Sequence, residues 1–200
     1  MGAGLLQDEG WSDLCDRCSE AAGIDLRHLL TDAGEDELRL TQNAQPALTF
    51  TCIGLGTLFG RRGEEFRPIA TAGHSVGEYA SLVLAGAIGP EDAIKAVVER
   101  GRAMAEAAPP GTSTMAAVLG LDPEAIKAAL AGLEGVWPAN FNTSTQTVIA
   151  GTVDGVERAI ERLREAGARR IVPLNVSAAF HTPLMRAAAA RLREALQGLE

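Results

Sequence analysis

The stretch Gly73-His74-Ser75-Val76-Gly77 constrains this chain more than any other. It is a Gly-x-Ser-x-Gly pentapeptide between a short apolar run, Ile69-Ala70-Thr71-Ala72, and a helix-like segment from Glu78 to Ala85. A strand over residues 69–73 that must turn into a helix within a few residues leaves little room for side chains beside the serine. Glycine is the residue that relieves this crowding. The turn holds a hydroxyl at the start of a helix, where backbone N–H groups have no partner within the helix. The amide of Val76 can then face a developing oxyanion, and the helix dipole favours negative charge there. Ser75 is thus a candidate nucleophile and Val76 a candidate oxyanion donor. His74 leaves the chain on the side opposite Ser75, so a base for Ser75 must come from elsewhere.

Two hundred residues at 46% hydrophobic content suit one globular domain with room for an inserted lobe. A net charge of -8 without a basic aromatic stripe excludes a nucleic-acid binder. The first residues carry neither a basic region nor a long apolar run, and no stretch reaches bilayer length, so no membrane role is expected and the expected location is cytoplasmic. Cys15 and Cys18 are spaced C-x-x-C, but no second pair accompanies them. Two buried thiols on an amphipathic helix with Trp11 and Leu14 are expected, and no metal.

Helices are expected over 11–22 and 44–60, the second entered through Pro46 near its first turn. Gly54 and Gly56 within it serve close helix packing. Gly89-Pro90 opens another helix with an apolar stripe of Ile94, Val97, Val98, Gly101, Met104 and Ala105, and with Arg100 and Arg102 at its margins. The pattern then changes. Thr114 to Leu119 is strand-like, Asp122-Pro123 caps a helix to Leu133, and Val136 to Phe141 with Thr147 to Ala150 suggest a hairpin. Asp154 caps a helix to Arg164, and Arg170 to Leu174 is a strand. The order β-α-β-β-α-β is that of a ferredoxin-like lobe inserted into a larger α/β domain. Thr182-Pro183 opens a last helix carrying Leu184, Ala188, Leu192, Leu196 and Leu199.

Of the three histidines, His28 lies in an expected helix and His181 in a strand-to-helix loop, Ala178-Ala179-Phe180-His181-Thr182, where α/β folds concentrate functional groups. His181 is the candidate base, and a capping role for the last helix is its alternative. Asp92, Asp122 and Asp154 each read as helix-start residues, so no third member of a triad is assigned.

Four stretches, in order, resemble the acyltransferase family of the malonyl-CoA:acyl carrier protein transacylases. They are Gly73-His74-Ser75-Val76-Gly77-Glu78-Tyr79-Ala80; Glu99-Arg100-Gly101-Arg102-Ala103-Met104; Asn140-Phe141-Asn142 with Val148-Ile149-Ala150-Gly151; and Ala179-Phe180-His181-Thr182-Pro183-Leu184-Met185. The resemblance implies an α/β fold. Its α/β-hydrolase-like core would comprise residues 1–112 and 177–200, with a ferredoxin-like subdomain over 113–176. It also implies malonyl transfer from coenzyme A to the pantetheine thiol of acyl carrier protein, with Ser75 as nucleophile, His181 as base and coenzyme A thioester as substrate rather than cofactor. Arg100, rather than Arg102, is picked to hold the malonyl carboxylate. Phe180 and His74 join it as candidate substrate-binding residues, and Phe180 with Val76 resembles the malonyl-type pattern. Arg61, Arg62, Arg169 and Arg170 are candidates for meeting an acidic carrier protein.

Two parts of that family's pattern are not found. A Gly-Gln-Gly-Ser-Gln loop, whose first glutamine supplies a second oxyanion amide, is not present, nor are the strands expected beyond the last helix. The chain is accordingly expected to be a fragment, truncated at both ends, with no sheet partner for residues 69–73 outside the inserted lobe. The acyltransferase domain of a polyketide synthase, a serine hydrolase or thioesterase, and an inactive fragment remain the alternatives.

Overall fold

The computed structural model describes residues 1–61, 68–109, 111–174 and 178–198. The fold is mixed α/β. The chain divides into two compact units, Met1–Arg102 with Arg191–Glu200, and Ala103–Ala190.

In the first unit Asp8 caps α1 (Glu9–Ala22) by accepting the Trp11 amide. Gly23, at φ 63°, ends the helix in the left-handed conformation that glycine adopts without strain. Trp11, Cys15 and Cys18 recur at helical spacing and are buried with Leu26, Leu29 and Leu30 of α2 (Leu26–Thr31). A short acidic turn, α3 (Glu35–Leu38), precedes α4 (Thr41–Gly60). The α4 helix begins at Thr41, earlier than expected, so Pro46 lies past its first turn, where its missing N–H removes one helical hydrogen bond. Phe50 of α4 meets the Trp11 ring edge-on at 5.9 Å. The α4 glycines serve packing, as expected: a Cβ at Gly54 would come within 2.5 Å of Leu5, and one at Gly56 within 2.5 Å of Leu84 in α5 (Gly77–Leu84). From α6 (Pro90–Ala107), Ile94 and Val98 complete this core.

The second unit holds the elements in the expected order: β1 (Ser113–Leu119), α7 (Pro123–Leu130), β2 (Val136–Thr143), β3 (Gln146–Thr152), α8 (Val153–Glu165) and β4 (Arg170–Pro173). The strands form one antiparallel sheet in the order β2-β3-β1-β4. Thus β1 and β2, joined through α7, run parallel with β3 between them. Asp122 caps α7, which ends at Leu130, short of Leu133, because Gly132 turns the chain at φ 72°. The cap of α8 is Thr152, not Asp154: the threonine side chain accepts the Gly155 amide, and Asp154 sits inside the first turn. Pro138 stands in β2, an edge strand, where the lost N–H interrupts no ladder bond on the outer side.

Alternation along the strands gives this sheet two apolar faces. Ala116, Val118 and Ile149 face Ile126 and Leu130 of α7 and Val156, Ala159 and Leu163 of α8. Met115, Val148 and Ala150 face Ala179, with Phe180 and Leu184 packed beside them. Ala178, Met185 and Ala188 are in turn packed with Ala103, Met104 and Ala108. Those contacts explain why the second unit takes in residues on both sides of 113–176. The last helix is preceded by a 3-10 turn over Pro183–Met185, and α9 spans Arg186–Leu196; Leu199 lies outside the described residues.

Candidate functional site

The chain enters the pentapeptide without forming the expected strand: residues 68–73 have no regular structure, and Ile69 is fully exposed. A strand needs a neighbour to take up its backbone groups, and the four-stranded sheet of the second unit does not include this segment. Side chains tie it down instead. The Thr71 hydroxyl donates to the Ser81 carbonyl at 3.0 Å, and the Ser81 hydroxyl donates to Thr71 Oγ1 at 2.9 Å, which fastens the segment to α5.

Ser75 has φ 53°, the left-handed conformation that side-chain-bearing residues occupy only when their surroundings hold them there. A Cβ on Gly73 would lie 2.0 Å from the backbone C and O of Gly77, so glycine is required at that position. At Gly77 a Cβ would meet nothing within 4 Å, so crowding does not account for the second glycine. The amides of Gly77, Glu78 and Tyr79 donate to the carbonyls of His74, Ser75 and Val76, which closes the turn into α5. The Val76 amide precedes these three.

Arg100 reaches the same turn from α6. Its Nη2 donates to Ser75 Oγ at 2.9 Å, and its Nη1 donates to Gln45 Oε1. Gln45 Nε2 donates in turn to Thr41 Oγ1 at 2.7 Å, one helical turn back along α4. The backbones of α4 and α6 meet closely here, since a Cβ on Gly101 would lie 2.7 Å from Gln42 Cα. Burial presses the Arg100 guanidinium below its ordinary pKa, with Tyr79 and Glu78 acting the other way. The Tyr79 phenol is pushed up by burial against the pull of Arg100. Arg102 is exposed, so the structure distinguishes two arginines that helical spacing leaves equivalent. Gln45 and Thr41 were not anticipated. Their signal was polar side chains four residues apart on the buried face of a largely apolar helix.

In the second unit His181 is exposed and has φ 59°. Its loop is fixed on both sides: the Ala179 amide donates to Ser113 Oγ at 3.0 Å, and the Thr182 hydroxyl donates to the Ala179 carbonyl at 2.8 Å. Thr182 also caps the following turn, accepting the Leu184 amide at 3.3 Å. Phe180 is half-buried between apolar neighbours. His74, which precedes Ser75 in sequence, is exposed; Arg61, Arg169 and Arg170 are exposed as well, and Arg62 lies outside the described residues. His28 pairs with Glu37 at 3.0 Å, and that carboxylate raises its pKa. A cavity of about 450 Å³ lined by Ser113, Met115, Val156 and Glu157 contains none of the candidate residues. Among the described residues no cluster of His, Cys, Asp or Glu could hold a metal ion, and no helix is long and apolar enough to cross a membrane.

A serine with left-handed backbone, held against a glycine at the mouth of a helix, has the turn geometry of a Gly-x-Ser-x-Gly elbow. The acyl transferase domain model matches residues 1–200, and the chain belongs to that family. It is 44% identical over 191 residues to the malonyl CoA-acyl carrier protein transacylase of Bacillus subtilis strain 168, covering 94% of this chain and 60% of the relative. It is likewise 44% identical over 177 residues to that of Escherichia coli strain K12, covering 87% and 57%. The crystal structure of MCAT from Streptococcus pneumoniae matches with a TM-score of 0.87 at 43% identity, over 97% of this chain and 64% of that one. A malonyl-transacylase solved in complex with a type II PKS acyl-carrier protein matches with a TM-score of 0.89 at 38% identity, over 98% and 64%. The chain spans about 60% of the length of the curated relatives it matches.

Proposed function

We propose that the chain transfers a malonyl group from coenzyme A to the pantetheine thiol of acyl carrier protein, in cytoplasmic fatty-acid biosynthesis. The observation that carries this reading is the 2.9 Å hydrogen bond from Arg100 to Ser75 Oγ. It places a guanidinium beside the atom that would bear the acyl group, within reach of the free carboxylate of a short diacid.

In this reading Ser75 Oγ attacks the thioester carbonyl and His181 takes the hydroxyl proton. The oxyanion is held by the Val76 amide, and the coenzyme A sulfur leaves with the proton returned by His181. The carrier thiol then attacks the malonyl-serine ester, passing its proton through His181, and Ser75 is restored. The thioester is itself the activated species, so no cofactor or metal enters. His74 and Phe180 are assigned to substrate binding. The likeness to malonyl transacylases and the antiparallel order β2-β3-β1-β4 support an α/β-hydrolase-like core over 1–112 and 177–200, with a ferredoxin-like subdomain over 113–176.

Intact-mass measurement after mixing with malonyl-CoA tests the proposal. A malonyl adduct is expected on the wild-type chain and not on Ser75→Ala; an adduct that survives the substitution refutes the assignment. Arg100→Ala is expected to lose malonyl transfer by about ten- to a hundredfold more than acetyl transfer, the worth of a charge-assisted hydrogen bond. Equal losses would remove the carboxylate role. Release of free malonate in preference to carrier acylation would instead favour a serine hydrolase.

A further inference from the structure

We propose that Ser113 is a positioning residue for His181, and that the four-stranded sheet is the mount on which the base is held. The inference rests on the reading of His181 as the base. Ser113 opens β1 and lies on the sheet face that carries Met115, the face packed by Ala179, Phe180 and Leu184. Its own backbone is registered against Thr152 of β3. From that anchored position its hydroxyl accepts the amide of Ala179, a fully buried residue two positions before His181. The Ala179 carbonyl is held from the other side by the Thr182 hydroxyl. Both peptide groups of Ala179 are therefore pinned by buried side chains, one on each side of the histidine in the sequence.

His181 needs such pinning. Its backbone is left-handed, a conformation that neighbours must impose. Removing the Ser113 hydroxyl leaves a buried N–H without its acceptor. The loop can relieve that loss by turning the amide toward other groups, which carries the imidazole with it. A base displaced by a fraction of an ångström still folds with its unit but transfers protons more slowly.

The test uses the full chain and its three histidines. Long-range proton–nitrogen spectra resolve the imidazoles of His28, His74 and His181, assigned by single His→Gln variants, with His28 and His74 as internal references. In Ser113→Ala the His181 signals are expected to shift or broaden while the references stay in place. Formation of the malonyl adduct is expected to slow by about ten- to a hundredfold. Ser113→Thr, which retains the hydroxyl, is expected to restore both. Ser113→Cys keeps the volume and weakens the acceptor, and gives the same readout if the alanine variant does not fold. Unchanged His181 signals, or equal changes at all three histidines, would overturn the proposal. Moved His181 signals with an unchanged adduct rate would uphold the mount and reject the base, an outcome confirmed by an unchanged rate in His181→Ala.

Discussion

The two glycines of the pentapeptide are identical in sequence and different in structure. A methyl group at position 73 collides with the Gly77 backbone, whereas one at position 77 enters open space. Gly73→Ala is therefore expected to lower stability by about 1–3 kcal/mol and to abolish the malonyl adduct. Gly77→Ala, at the first position of a helix, is expected to be neutral or mildly stabilising; calorimetric melting of the two variants checks the contrast. The thiols make a second prediction. Burial pushes Cys18 up to about 12 from an ordinary 9.0, so the fold favours its neutral form. Its contribution to stability is intact below pH 9.0 and is lost as pH rises from there through about 12. The urea midpoint is expected to fall between pH 8 and about pH 10.5, and in labelling of the native chain the half-buried Cys52 is expected to react before Cys15 and Cys18. At this scale the sequence was partly legible. Ser75 and the buried cysteines could be read from local pattern, but the string from Ser75 through Arg100 to Gln45 joins residues far apart along the chain, which no spacing rule reaches.

Among the elements, those built from local signals could be read and those that depend on a distant neighbour could not. The β-α-β-β-α-β order follows from turn residues and alternation lying within one continuous stretch. The segment before Ser75 has strand-like composition, but composition supplies no hydrogen-bond partner, and it runs as an irregular segment fastened by Thr71 and Ser81. One helix cap was misread: Asp154 suits an N-terminus, yet Thr152 is the residue whose oxygen meets an amide of the first turn. Thr152→Val is thus expected to cost about 1 kcal/mol, and Asp154→Ala, which breaks only an exposed pair with Arg158, less than about 0.5 kcal/mol. Chemical denaturation of both variants separates the two roles.

Over the whole molecule, large apolar side chains remain exposed on the packed helices α4 and α5: Leu55 at 58%, Phe59 at 55% and Leu82 at 43%. Apolar surface of this kind drives association when nothing covers it. Sedimentation of the chain is expected to show concentration-dependent self-association, and Leu55→Ser with Leu82→Ser to shift it toward monomer without changing the circular dichroism spectrum. A net charge of -8 opposes that association, so added salt is expected to strengthen it.

Among the described residues, the only non-glycine positions with left-handed backbone are Ser75 and His181, one in each compact unit. Selection for heat resistance alone would therefore be drawn to these two positions, where glycine releases the strain. Any library enriched by melting temperature without an activity screen would accumulate well-folded chains that lack the proposed nucleophile or the proposed base. With the roles proposed for Ser75 and His181, durability and turnover pull against each other at two dihedral angles.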